Sequence, residues 1–544
     1  MVSGGRVLGA GAALVCALLV AGCGSSATTG EPRAAEVHLF GLNDLHGHLQ
    51  PPEGSNGKVG TETAGGAAYL AAHLAKLKAE HPDSAVLAAG DMVGASPLVS
   101  ALFHDEPTIR FLNSVGVAAS SVGNHEFDHG VAELRRLQQG GCASDGCTPG
   151  ESFTGAAFPY LAANVTDGNG QLPPGLKAWT MLTVGGHKIA AIGTVTPDTG
   201  NIVLPEGIRG YTFGAEADAV NKYVPEAKSA GAEAVVVMVH DGGAQRTQGG
   251  PVDYNGCADI TPNVTALAEQ VDDAVKVILT AHSHQAYNCT IDGKVVTQAA
   301  SFGRIITDVT LRFHDGTVDA SAVNRLVTRD IPADTAATQL VNFYAAQAKP
   351  LAERVVGNAA AALPGEATAA GDSPMGDVIA DSMLAVNSFG PVVAAFMNPG
   401  GVRAGVGAGA ITYQQLYTAQ PFGNTIVALT LTGEQILKLL EQQWDNVSKT
   451  AVLAPAGITY AYSATAPKGQ KVIAGSVRIG GTALDPAAEY QIATNNFLST
   501  GGDGFSVFTQ GKNVTPGPLD LDALQSYLSA RGTVDAPVGR VERR

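Results

Sequence analysis

The chain has 544 residues, 45% of them hydrophobic and 15% charged, which excludes a disordered chain and calls for two or three domains of about 100–200 residues each. Its net charge is −16 with only 33 lysines and arginines, so a general binder of nucleic-acid polymers, which needs a basic face, is excluded as well. An acidic protein that handles phosphates must make its positive field locally, and bound metal is the direct way.

Residues 1–23 read as a lipoprotein signal peptide. Arg6 gives a weakly positive start, and Val7–Val20 is nearly all apolar or glycine, a run too short to span a bilayer comfortably. It ends in Val20-Ala21-Gly22-Cys23, which resembles a bacterial lipobox and implies cleavage before Cys23 with lipid on its thiol. The expected location is extracytoplasmic, at the cell membrane, held through that lipid alone. Residues 24–35, rich in glycine, serine and threonine, read as a flexible tether.

From Val37 on, short apolar runs alternate with helical stretches. Val37–Leu42 predicts a strand. Gly65–Glu80 has helical spacing and is stopped by Pro82. Ser84–Ala89 predicts a strand, Val115–Val122 another that leads into a Gly-Asn turn, and Lys188–Val195, Ala234–Val239 and Val275–Thr280 predict buried strands. Strands alternating with helices mean an α/β layered architecture. Residues 36–328 form one expected domain. Residues 329–356 form a helical connector with a break at Pro350. Residues 357–541 form a second α/β domain with glycine-rich turns at Pro399–Gly401 and Gly501–Gly504.

Of six cysteines, Cys16 and Cys23 belong to the targeting segment. The remaining four allow three pairings. The short loop between Cys142 and Cys147 favours a local bridge, leaving Cys257 with Cys289, and both suit an oxidising compartment.

The polar residues with catalytic potential follow the predicted strands. Asn43-Asp44-Leu45-His46 follows the first, Gly90-Asp91 the second, and Gly123-Asn124-His125-Glu126-Phe127-Asp128 the next. His240 ends the valine-rich strand, and His282-Ser283-His284 ends the one after it. Strand C-termini of an open α/β sheet converge on one crevice. Asp, Asn and His without thiolate suit divalent manganese, zinc, iron or cobalt. Asp44 and His46, like His282 and His284, are two apart and point the same way in an extended segment, and Asp91 is placed to bridge two ions. Two ions about 3.5–4 Å apart polarise a phosphoryl group and lower the pKa of bound water from about 15.7 to roughly 7, which supplies an attacking hydroxide.

Taken in that order, these motifs resemble the calcineurin-like metallophosphoesterases, and specifically the exported bacterial 5′-nucleotidases, over nearly all of the mature chain. The resemblance implies a four-layer αββα catalytic domain joined by a helix to a smaller substrate-binding α/β domain. It implies one metal on Asp44, His46, Asp91 and His284, another on Asp91, Asn124, His240 and His282, and a catalytic dyad of His125 and Asp128. Glu126 reads as local scaffolding, and His48 is the only other histidine close enough to the metals to matter. In the second domain, Asn398-Pro399-Gly400-Gly401-Val402-Arg403 matches a loop that contacts substrate. Phe422 and Phe497 match the two walls of a base clamp, Asn424 lies in the first wall's segment, and Asp503 matches a ribose-binding carboxylate. The implied connector is a hinge. The implied activity is release of phosphate from nucleotides, in a monomer or dimer.

One departure is visible. Relatives carry an arginine just before the segment matching Pro374-Met375-Gly376-Asp377, whereas Glu366–Ser373 contains no Arg or Lys. A 2′,3′-cyclic nucleotide or a UDP-sugar is therefore an alternative substrate. A thiosulfohydrolase on the same fold and a non-catalytic, lipid-anchored nucleotide-binding protein are the other readings.

Overall fold

The computed structural model describes residues 35–143, 146, 152–245, 253–445 and 450–544. The signal segment, the lipobox at Cys23 and Cys147 lie outside the described residues. Among the described residues no helix is long and apolar enough to cross a membrane.

The catalytic part runs through β1 (Glu36–Leu42), α1 (Ala67–Glu80), β2 (Ser84–Ala88), α2 (Glu106–Ser114), β3 (Val117–Ser121), β4 (Tyr160–Leu161), β5 (Trp179–Val184), β6 (His187–Val195), α3 (Glu216–Ser229), β7 (Ala234–His240), β8 (Val275–Thr280), β9 (Ala286–Ile291), β10 (Lys294–Ala299), β11 (Ile305–His314) and β12 (Thr317–Leu326). Two six-stranded sheets result, in the orders β12-β11-β1-β2-β3-β4 and β9-β10-β8-β7-β6-β5. The strands β1 to β4 pair in parallel, as do β6, β7, β8 and β10, while the remaining pairings are antiparallel.

The sequence explains the layering. β7 reads AVVVMVH and is buried along its whole length, as a parallel strand covered on both faces must be. Its alternate residues serve two cores. Val236 and Met238 meet Leu39, Leu87, Ile189 and Leu279 between the sheets, while Val235, Val237 and Val239 meet Ala217, Val220 and Val224 of α3 outside them. α1 buries Ala67, Leu70, Ala71, Leu74 and Leu77, one face at helical spacing, against the outer side of the first sheet. The order is helix, sheet, sheet, helix, the four-layer αββα arrangement expected.

α4 (Thr335–Ala352) follows, capped by Asp334, whose carboxylate accepts the Ala337 N–H at 2.8 Å. It differs from expectation at Pro350, which lies inside the helix rather than breaking it. Proline in the last turn forfeits one hydrogen bond only a few residues before the helix ends. The strand expected over Val115–Val122 is also shorter, because α2 runs to Ser114 and β3 begins only at Val117.

The C-terminal part comprises α5 (Pro374–Leu384), β13 (Ala394–Met397), β14 (Thr425–Thr432), α6 (Gly433–Gln442), β15 (Ala454–Ala456), β16 (Glu489–Asn495), β17 (Lys512–Leu519) and α7 (Asp520–Arg531), with a sheet in the order β15-β13-β16-β14-β17. Period-2 alternation divides its faces. Ala395, Met397, Ile426 and Ala428 pack with α5 and α7, whereas Ala394, Phe396, Val427 and Leu429 pack with α6.

Cys257 and Cys289 form a disulfide, as expected. Cys142 is itself disulfide-bonded.

Candidate metal centre

The C-terminal ends of β1, β2, β3, β7 and β8 lie together, and the residues just beyond them form one buried cluster. Three groups have ligand atoms within 4.8 Å of one another: Asp44, His46 and His284; Asp91, His240 and His282; and His46, Asp91 and His125. Asp91 is shared. Its Oδ2 lies 3.0 Å from His240 Nε2 and 3.6 Å from His46 Nε2. Asn124 completes the second group, with Oδ1 3.2 Å from His240 Nε2.

Backbone conformation is unusual here. Asp44, His46, Asp91, His282 and His284 all have φ between +46° and +67°, the left-handed region that non-glycine residues avoid. Each such residue costs on the order of 1–3 kcal/mol and persists only where the surroundings over-determine it. The surroundings are visible. Asn43 donates to Asp44 Oδ2 at 2.6 Å and to the Ala300 carbonyl, and accepts from the Ala299 N–H. The buried Glu126 carboxylate accepts the backbone N–H groups of Asp91, Met92 and Gly123, which is the scaffolding role its sequence position predicts. Burial and the nearby Asp91 charge push Glu126 up to about 7.

The donor set fits divalent metal. Nδ1 of His46 lies 2.9 Å from the Gly94 carbonyl and Nδ1 of His240 lies 2.8 Å from the Ala89 carbonyl. A carbonyl only accepts, so these Nδ1 atoms carry the proton, and each Nε2 faces the cluster. His46 Nε2 and His284 Nε2 are 3.0 Å apart, and burial holds both imidazoles well below their ordinary pKa, further lowered for His284 by the Arg403 charge. Two neutral imidazoles with their nitrogens face to face, 3.5 and 4.0 Å from Asp44 Oδ1, offer lone pairs and a carboxylate that suit a cation.

His125 stands at the edge. Its backbone N–H donates to Asp91 Oδ1 at 2.9 Å, and its Nδ1 lies 2.8 Å from Asp128 Oδ2. Burial alone would lower its pKa, but Asp128 and Asp91 raise it above the ordinary histidine value.

Across from this cluster sits the C-terminal part. Arg403 lies 5.9 Å above the Phe422 ring, and Phe422 stacks on His125 with centroids 5.7 Å apart. Burial lowers the Arg403 pKa, and the charges of Asp91, Asp128 and Asp44 oppose that, which puts its guanidinium within the field of all three. Asn398 donates to Asp503 Oδ2 at 2.8 Å and is held in turn by Asn495. A Cβ at Gly401 would lie 2.3 Å from Met397 Cε and 2.9 Å from Asn398 Oδ1, so both side chains would have to shift to admit one. Phe497 lies against Gly502, where a Cβ would meet its ring at 2.5 Å. The Asn424 carbonyl accepts the Asp520 N–H, and its side chain bonds the Asp520 carboxylate.

Comparison with known proteins agrees with this geometry. Residues 38–286 match the calcineurin-like phosphoesterase family, and residues 355–510 match the 5′-nucleotidase C-terminal domain. The chain belongs to the metallophosphoesterases of the 5′-nucleotidase family. The endonuclease YhcR of Bacillus subtilis is 34% identical over 91% of this chain, which spans only 40% of YhcR's own length. The cell wall protein Lmo0130 of Listeria monocytogenes is 28% identical over 90% of this chain and 67% of its own. The crystal structure of the 5′-nucleotidase precursor of Thermus thermophilus superimposes with a TM-score of 0.78 at 27% identity, over 93% of this chain and 99% of that one. Members of this family are metal-dependent phosphoesterases.

Residues that sequence reading did not single out also shape the centre. In the sequence Asn43 is only a neighbour of Asp44. Phe302 and Arg304 follow β10 and carry no motif; Phe302 has φ +60° and donates its N–H to the Asp44 carbonyl at 2.7 Å.

Proposed function

We propose that the protein is an exported phosphohydrolase that releases phosphate from nucleotides, with two divalent metals held by Asp44, His46, Asp91 and His284 and by Asp91, Asn124, His240 and His282. The observation that carries this reading is the position of Asp91, whose carboxylate converges with His46 and His125 on one side and with His240 and His282 on the other. When bound, the metals supply Lewis acidity toward the phosphoryl oxygens and an activated water.

The chain's own residues do the rest. Asp128 holds the His125 ring in place through Nδ1 and keeps it protonated, so Nε2 can donate to the oxygen of the departing alcohol. The unspent donors of Arg403 fork onto a phosphoryl oxygen. Phe422 and Phe497 hold the base by stacking, and Asp503, braced by Asn398, accepts from ribose hydroxyls. Packing of the C-terminal part over the cluster excludes water from the departing group. The absence of Arg or Lys from 366–373 favours a second reading in which a cyclic nucleotide or a nucleotide sugar is the substrate on the same centre. The lipobox supports export, and the name of the Listeria cell wall protein is in keeping with it.

Phosphate release from AMP, UDP-glucose and bis-p-nitrophenyl phosphate, each with Mn²⁺ and with EDTA, tests the proposal. Turnover of at least one of them that EDTA abolishes is expected. Turnover unaffected by EDTA, or none from any of them after metal loading, would overturn it.

A further inference from the structure

A fourth group of potential ligands lies at the other pole of the first sheet. β1 begins at Glu36, whereas the catalytic ligands follow its last residue, Leu42. At about 3.3 Å per residue the strand alone puts roughly 20 Å between the two ends. Glu36 and His38 are two apart and share the face of β1 that carries Phe40, the face packed against α1. His81 caps the C-terminus of α1, just before β2 starts at Ser84, and the parallel pairing of β1 with β2 sets Ser84 beside His38. Ligand atoms of Glu36, His38 and His81 all lie within 4.8 Å of one another.

His38 is the middle of this group. It is buried, and each ring nitrogen faces a carboxylate: Nδ1 lies 2.7 Å from Asp308 Oδ1, and Nε2 lies 3.0 Å from Glu36 Oε1. Arg325 Nε holds the other oxygen of Asp308 at 2.8 Å, and Arg312 Nε the other oxygen of Glu36 at 2.9 Å. Both arginines are half-exposed, so water and salt screen their charge. A histidine that donates one N–H to a buried carboxylate presents its second nitrogen as a lone pair, which is how metal-ligating imidazoles are oriented. Two donors about 2.1 Å from one ion and at right angles to it stand about 3 Å apart, which is the separation of Nε2 from Oε1. Carboxylates in the ionised form only accept, so without an ion His38 must carry two protons, whereas an ion takes the place of the second. The His38 hydrogen bond also holds the Glu36 pKa below the ordinary carboxylate value. The His81 ring stacks on His38 with centroids 3.6 Å apart, and among the described residues no hydrogen bond engages its nitrogens.

We propose that Glu36, His38 and His81 form a further metal site, separate from the catalytic centre, for a zinc-like divalent ion, with Asp308 orienting His38. Two imidazoles and one carboxylate without thiolate suit such an ion and leave room for water in its shell. Binding turns the His81 ring out of its stack so that one nitrogen meets the point shared by Nε2 and Oε1. The ion then ties the end of α1 to the start of β1, and its contribution is to stability rather than to catalysis. No residue of the catalytic cluster takes part, so the site does not depend on the phosphohydrolase reading.

Zinc binding by the purified, chelator-stripped protein tests it, with wild type, His81→Ala and Glu36→Gln. Each is dialysed to equilibrium at a free Zn²⁺ concentration that just saturates wild type, and its metal is counted by elemental analysis. Wild type is expected to hold one ion per chain more than either variant, whatever number the catalytic centre takes. Zn²⁺ should also raise the melting temperature of wild type by several degrees more than that of the variants, because an ion that binds only the folded chain stabilises it. Equal counts in all three proteins overturn the site and leave His38 as an imidazolium between two carboxylates. A loss of more than one ion per chain overturns it too, since the variants would then have disturbed the catalytic centre. If His81→Ala does not fold, as judged by its melting curve, Glu36→Gln, which keeps the size and loses the charge, decides by the same count.

Discussion

Phe422 lies nearly parallel to His125 across the junction of the catalytic and C-terminal parts, with ring centroids 5.7 Å and planes 16° apart. If Phe422 stacks on the base as proposed, its contact with His125 would couple recognition of the base to the chemistry. Base–aromatic stacking is worth roughly 1–3 kcal/mol, so Phe422→Ala should raise KM for AMP about 10- to 100-fold. Its effect on p-nitrophenyl phosphate, which has no base, should be much smaller. Comparable losses on the two substrates would show that Phe422 serves mainly to position His125.

The His125–Asp128 pair predicts a separation of chemistry from metal binding. His125→Ala should lower kcat by about 10²–10⁴, the usual contribution of a general acid, while elemental analysis finds the same metal content as wild type. Asp91→Ala should lose both metal and activity, because its carboxylate converges with His46 on one side and with His240 and His282 on the other. A His125→Ala protein with wild-type kcat would remove that residue from the mechanism.

How much of this was legible beforehand follows from where each residue sits. Asp44, Asp91, Asn124, His240 and His282 each follow an apolar run, and the topology of parallel strands brings such ends together, so their convergence could be read from the chain. Asn43 could not be ranked that way, because its role comes from Ala299 and Ala300, far away in sequence. Glu126 was legible as scaffolding, but its partners after β2 were not. Pro350 misled because a helix tolerates proline in its final turn when little helix remains to be disrupted. The bond between the Asn424 side chain and Asp520 joins residues nearly a hundred positions apart, which no local motif carries.

Cys257 and Cys289 are 32 residues apart and tie the segment before the helix Pro262–Gln270 to β9 of the second six-stranded sheet. In the chain-entropy account, closing a loop of that length stabilises by about 3–4 kcal/mol. Cys257→Ala with Cys289→Ala should therefore lower the melting temperature by several degrees and increase sensitivity to urea. An unchanged melting curve, with the bridge verified in the parent by mass spectrometry, would show that the loop is already ordered without it.

Asp377 gives a prediction about pH. It lies in α5, 1% exposed, and its Oδ1 has no hydrogen-bond partner. Burial pushes its pKa up to about 8, opposed by Arg540 and reinforced by Asp372 and Asp381. The unfolded chain ionises this group near pH 4, while the folded chain holds the proton to about 8. Between those values the folded state binds more protons, so this group's contribution to stability falls as pH rises from about 4 to about 8. Asp377→Asn has the same shape and no charge to bury. It should melt with wild type near pH 4 and above it by several degrees near pH 8. Thermal denaturation of both proteins across that interval measures the difference, and a gap that stays constant with pH would mean that Asp377 is ionised in the folded protein throughout.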